Sequence, residues 1–135
     1  MPVGNILVVE DDEVIRRALV EVLGEHFPVQ VEGARDGCDA LHHILTRRYG
    51  VVVLDMMMPK MSGGDLLDSL KAMLSDPSLD FQGEPPAIIV VTAVPPDTLP
   101  NRAIEQRFPG VIRAVLRKPV DYEALVSSVR CELSG

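Results

Sequence analysis

The chain has 135 residues and a mass of 14.7 kDa, one domain's worth. Apolar residues are 47% and charged residues 24%, which excludes wholesale disorder. A net charge of −7 argues against direct nucleic-acid binding and against adhesion to an anionic membrane.

Ile6-Leu7-Val8-Val9 reads as a first buried strand, stopped by Glu10-Asp11-Asp12-Glu13. Val14, Ile15, Ala18, Leu19, Val22 and Leu23 then recur at helical spacing, predicting an inward stripe on a helix that ends near Gly24. Val29-Gln30-Val31-Glu32 alternates in polarity and reads as a more exposed strand. Asp36 suits the cap of a second helix with Ala40, Leu41, Ile44 and Leu45 inward. Val51-Val52-Val53-Leu54 is the third strand, and Leu66, Leu67, Leu70, Met73 and Leu74 mark the third helix. Ser75 to Pro86 is a long irregular stretch rich in Pro, Asp and Ser, read as functional or poorly ordered. Ala87 to Val91 is the fourth strand. A weaker fourth helix runs from Asn101 to Arg107, bracketed by Pro95, Pro96, Pro100 and Pro109. Val111 to Leu116 is a less uniform fifth strand, and Tyr122, Leu125, Val126, Val129 and Leu133 mark a fifth helix.

The order is α/β, a (βα)₅ chain. Short strands without a polar face mean that helices cover both sides of a parallel sheet. Right-handed crossovers give a doubly wound three-layer sandwich. Cys38 and Cys131 form no CxxC pair, so each reads as a small buried apolar residue in a reducing compartment. There is no signal peptide and no run of membrane-spanning length, which predicts a cytoplasmic protein. His26, His42 and His43 read as surface groups, and Arg16 and Arg17 as a solvated or partner-facing edge.

Ligands of doubly wound sheets bind outside the carboxyl ends of the strands. The first strand is followed there by Glu10, Asp11 and Asp12, the third by Asp55, the fourth by Thr92 and the fifth by Arg117-Lys118-Pro119. If strands 1 and 3 are neighbours, two acidic positions face each other. Such carboxylates repel, and a hard cation such as Mg²⁺, which prefers oxygen ligands, relieves the repulsion. Asp12 reads first as a helix cap. Lys118 offers a point charge and Thr92 a hydroxyl, completing a set suited to phosphoryl transfer. An aspartate can itself attack phosphorus and form an acyl phosphate.

These residues resemble the receiver domain of two-component response regulators, of the chemotaxis-regulator kind. Val8-Val9-Glu10-Asp11-Asp12 is similar to its acidic motif, and Asp55-Met56-Met57-Met58-Pro59-Lys60-Met61-Ser62-Gly63 to its D-x-x-M-P-x-M-x-G segment. Thr92-Ala93, Lys118-Pro119 and Asp36-Gly37 match further elements, so the likeness covers essentially the whole chain. It implies a flavodoxin-like sheet in the order 2-1-3-4-5, one receiver domain over residues 1–135, and no output domain. Asp55 would be the phosphoacceptor. Asp11 would bind Mg²⁺ directly, Glu10 mainly through water, and the Met57 carbonyl would complete the set with Asp55. Thr92 and Lys118 would contact the phosphoryl group. The donor would be a sensor histidine kinase or a histidine phosphotransfer protein. The output would be a conformational change read by an unknown protein, with the receiver a monomer or a phosphorylation-dependent dimer, binding neither nucleic acid nor membrane.

Several positions depart from that pattern. Val115 stands where the family usually has Tyr or Phe, and Val120 where Phe is common. Phe108-Pro109-Gly110 replaces the usual Gly-Ala, and residues 94 to 100 are unusually proline-rich. The chemistry should therefore be intact and the readout altered. Competing readings are a small phosphatase or phosphotransferase with an aspartyl-phosphate intermediate, a receiver fragment of a larger regulator or hybrid kinase, and an interaction domain that has lost phosphorylation.

Overall fold

The computed structural model describes residues 4–58, 61–76, 78 and 85–134. Strands β1 (Asn5–Val9), β2 (Val31–Ala34), β3 (Tyr49–Asp55), β4 (Ala87–Thr92) and β5 (Ile112–Arg117) alternate with five helices. These are α1 (Glu13–His26), α2 (Gly37–Thr46), α3 (Gly63–Leu74), α4 (Asn101–Glu105) and α5 (Tyr122–Ser134). All pairings are parallel, and the sheet order is β2-β1-β3-β4-β5. This is the predicted doubly wound, flavodoxin-like arrangement.

The period of two along each strand divides the apolar runs between two cores. Leu7, Val9, Val52, Leu54, Ile88 and Val90 face α2, α3 and α4, meeting Ala40, Ile44, Leu66, Leu70 and Ile104. Ile6, Val8, Val51, Val53, Ile89 and Val91 face α1 and α5, meeting Leu19, Leu23, Leu125 and Val129. The strands read as unbroken apolar runs because both faces are covered. Each fully buried Leu or Ile contributes about 1.5–3 kcal/mol. β5 is less uniform because its register shifts: Ile88 pairs with Ile112 but Ile89 with Ala114, leaving Arg113 outside both cores.

Side chains set most helix starts. Asp12 accepts hydrogen bonds from Val14 N and Ile15 N, as its cap reading required. Asp36 accepts from Asp39 N at 2.8 Å. Ser62 and Asp65 form a reciprocal capping box on α3. α4 starts at Pro100 without a side-chain cap.

Several sequence expectations shift. β2 lies two residues later than Val29–Glu32, because β1 pairs Ile6 through Val9 with Val31 through Ala34. α1 runs through Gly24 to His26, and Phe27 N–H closes on Leu23 O. α4 stops at Glu105, two residues short of Arg107. Val14 (77% exposed), Ile15, Leu45 and Tyr122 were read as inward and are exposed. All four sit in the first or last turn of their helices. Cys38 and Cys131 are exposed as well, not buried, since each falls beside the inward stripe of its helix. Pro59, Lys60 and most of the irregular 75–86 stretch lie outside the described residues. No described helix is long and apolar enough to cross a membrane.

Candidate functional site

Parallel pairing brings the strand ends together. β1 and β3 are adjacent with Val9 opposite Leu54, so the next residues, Glu10 and Asp55, stand side by side. On the other flank β4 pairs with β3, and Thr92 follows Val91, the partner of Asp55. Thr92 pairs with Arg117, and Lys118 N–H donates to Thr92 O at 2.8 Å. The structure therefore gathers Glu10, Asp11, Asp55, Thr92 and Lys118 at one end of the sheet.

Burial makes this gathering chemically unusual. Glu10 is 2% exposed, Asp55 3% and Thr92 0%. Buried carboxylates are costly unless paired. Lys118 Nζ bridges both, 2.9 Å from Glu10 Oε1 and 3.2 Å from Asp55 Oδ2. Asp55 Oδ1 accepts from Met57 N–H at 3.1 Å. Thr92 Oγ1 accepts from Val94 N–H at 3.1 Å. Glu10 Oε2 has no partner among the described residues.

The electrostatics follow from that packing. Burial, reinforced by the neighbouring Asp55, pushes the Glu10 carboxyl up to about 8, and Lys118 offsets only part of this. Burial alone would lower Lys118, but Glu10 and Asp55 together outweigh it and raise its pKa. The ammonium is thus held charged beside two acids. One carboxylate oxygen each from Glu10, Asp11 and Asp55 lies within 4.8 Å of the others, with Asp11 on the open side. Three convergent carboxylates and an orphaned buried oxygen suit a hard divalent cation. Met57 reaches the site through its backbone, and its side chain is 63% exposed.

Three features were missed at the sequence level. Arg16 is no free edge: its Nη1 donates to Glu10 O at 2.9 Å. Its stem lies over Gly33, where a Cβ would come 3.0 Å from Arg16 Cδ. Gly63 closes the loop after β3 directly on the site strand. A Cβ there would lie 2.6 Å from Asp55 O and 2.7 Å from Met56 Cα. Gly37 is similarly pressed by Met61, whose Cγ would be 2.6 Å from an added Cβ. Arg16 stands one helical turn beyond the acidic motif, which was a usable signal. Gly37 and Gly63 stand in the quoted motif segments, but the atoms that press on them were not readable there.

Residues 6–130 match the family model for the response regulator receiver domain. The chain belongs to the response regulator receiver family. It is 32% identical over 136 residues to response regulator MprA of Mycobacterium sp. (strain KMS), covering 98% of this chain and 51% of that protein. Among solved structures, a response regulator receiver protein from Pseudomonas putida superposes with a TM-score of 0.76 at 27% identity, covering 98% of this chain and 99% of that one. The receiver domain of Francisella response regulator 1452 gives 0.77 at 24% identity, covering 97% of each chain. The receiver spans about half the length of the curated MprA relatives it matches. Receiver domains are signalling switches that take phosphoryl groups from histidine kinases.

Proposed function

We propose that Asp55 is the phosphoacceptor of this receiver and that Glu10 and Asp11, with Asp55 and the Met57 carbonyl, hold Mg²⁺. The observation that carries this reading is the buried Asp55 carboxylate, 3.2 Å from Lys118 Nζ and within reach of two further acids. An Asp55 oxygen attacks the phosphorus of a phosphohistidine on a sensor kinase or phosphotransfer protein. The P–N bond breaks, its electron pair stays on the imidazole nitrogen, and an acyl phosphate forms. Lys118 neutralises charge on the transferred group and the Thr92 hydroxyl donates a hydrogen bond to it. When bound, Mg²⁺ supplies further charge neutralisation at the phosphoryl oxygens. The product is a switched conformation read by protein contact in the cytoplasm, with the receiver a monomer or a dimer formed on phosphorylation.

A phosphatase reading is weaker. Such enzymes place a second acid two residues after the nucleophile, where this chain has Met57. Turnover of a generic phosphate ester should be absent.

Labelling with acetyl phosphate and Mg²⁺ tests the assignment. Wild type should take up one phosphoryl group and Asp55→Asn should fall to background. Uptake by Asp55→Asn at the wild-type rate would overturn it.

A further inference from the structure

Arg117 is the last residue of β5, between the strand pairing to Thr92 and the site lysine. Its guanidinium leaves the sheet and enters the loop before α4. Nη1 donates to Val94 O at 2.8 Å, and Nη2 to Leu99 O at 2.8 Å and to the Asn101 side-chain oxygen. Val94 is in turn the residue whose N–H donates to Thr92 Oγ1. One half-buried side chain thus spans a path from the Thr92 hydroxyl to the first residue of α4.

The loop depends on such a brace. Pro95, Pro96 and Pro100 lack N–H donors, and α4 is five residues long with no side-chain cap. A planar guanidinium is shaped to satisfy several carbonyls at once, which a lysine ammonium on a flexible stem does less well. On the same strand Val115 packs into the core beside α4, so no aromatic ring there can couple Thr92 to the helix.

We propose that Arg117 is the positioning residue of the Thr92 hydroxyl and the link that carries its displacement to the 94–105 segment. The proposal rests on the phosphoacceptor reading above. When Thr92 moves toward a phosphoryl group on Asp55, the Val94 peptide follows its hydroxyl. The Arg117 fork then changes its bonds to Val94 O, Leu99 O and Asn101 together. Thr92 and α4 become one two-state element rather than two independent ones.

Arg117→Met keeps the stem and removes the donors. Amide exchange over residues 94–105, with and without beryllofluoride plus Mg²⁺, is the measurement, and ¹⁹F NMR reports binding of the analogue. In wild type beryllofluoride should change exchange across 94–105. In Arg117→Met the free protein should exchange there about tenfold faster or more, the scale for losing hydrogen bonds of a local opening unit. Beryllofluoride should still bind, yet alter that segment less than about twofold. Arg117→Lys should fall between, and Arg113→Met, an exposed change on the same strand, should match wild type. A role confined to stability would speed exchange throughout the chain and leave the beryllofluoride response in place. That result, or wild-type exchange in free Arg117→Met, overturns the proposal. If Arg117→Met fails to fold, Asn101→Ala and Arg117→Lys give the same comparison. Failure of wild type to bind beryllofluoride would overturn the phosphoacceptor reading, while the free-state exchange still decides the brace on its own.

Discussion

The carboxyl ends of β1, β3, β4 and β5 and the edge formed by α4 and its flanking loops are held in place by different means. At the first, position comes from the sheet itself. Glu10, Asp55, Thr92 and Lys118 sit on or next to paired strand ends, and three of them are essentially buried. Glycines at 37 and 63 let backbones approach to contact around them. At the second, Ile104 and Phe108 pack into the core, and the flanking loops are tied by arginine side chains on backbone carbonyls. Arg117 holds the start of α4, while Arg107 reaches Gly64 O at 3.3 Å and Asp68 near its far end. Each such charge-assisted bond is worth about 1.5–3 kcal/mol net and can be exchanged. A sheet-anchored carboxylate is locked to its strand neighbours, whereas loops tied by side-chain hydrogen bonds can exchange those bonds one at a time. The expected contrast is between a rigid chemical end and a more movable edge.

Crowding at the rigid end offers the largest effect by which to break that contrast. Gly63→Ala drives a Cβ into Asp55 O and Met56 Cα, both backbone atoms that cannot swing away. The expected cost is about 2–3 kcal/mol, near the upper range for overpacking. Urea unfolding should show a lower midpoint with an unchanged slope. A wild-type midpoint would mean the loop over Asp55 has slack, and the rigid end is not rigid.

A smaller effect separates the two regions by charge. The folded pKa of Glu10, about 8, lies above its ordinary value of 4.5, so between these values the native state binds more protons than the unfolded one. Stability from this group is therefore present at low pH and is lost as pH rises from about 4.5 to 8. Mg²⁺ favours the ionised carboxylate and should offset that loss. Melting in EDTA should show Tm falling over this window. At a fixed Mg²⁺ concentration ten times the Kd at pH 8, the ion should restore about 1.4 kcal/mol at pH 8 and less at pH 5, where protonation of Glu10 weakens binding. Equal stabilisation at both pH values would mean that Glu10 is not part of the cation site.

The rigid end was far more legible in the sequence than the edge. Strand ends mark themselves: an apolar run stops at a polar group, and parallel pairing then decides which ends meet. So the sequence places Glu10, Asp11, Asp55, Thr92 and Lys118 together once strands 1 and 3 are taken as neighbours. The unusual character of the edge was visible in Val115 and the prolines, but the device that holds it was not. Arg117 read only as a neighbour of Lys118, because two of its three partners are backbone carbonyls, up to 23 positions away, which carry no residue identity. The same blindness hid Arg16 on Glu10 O. Helical periodicity overreached for a related reason. Val14 and Tyr122 satisfy the apolar stripe, yet both fall in the first turn of a helix and stay exposed, and the stripe does not show how far along a helix the burial extends.

The smallest effect lies where the two regions share a residue. Val94 lends its N–H to Thr92 and its C=O to Arg117, so both backbone groups are committed. Its side chain, like that of exposed Met57, is apolar and cannot orient a water for attack on an acyl phosphate at Asp55. The phosphorylated form should therefore be long-lived. Met57→Asn with Val94→Glu introduces polar groups at both places without altering either backbone bond. Loss of radiolabel should accelerate about 3–10-fold, well below the 10²–10⁴ of a fully positioned general base, because neither new group is held in place. The beryllofluoride response at 94–105 should stay as in wild type, since Arg117 and its acceptors are untouched. Unchanged decay would show that water reaches Asp55 by a route these two side chains do not control. Faster decay with a lost response at 94–105 would show that hydrolysis and signal transmission share one element at Val94, and the boundary between rigid end and movable edge would then lie closer to Thr92.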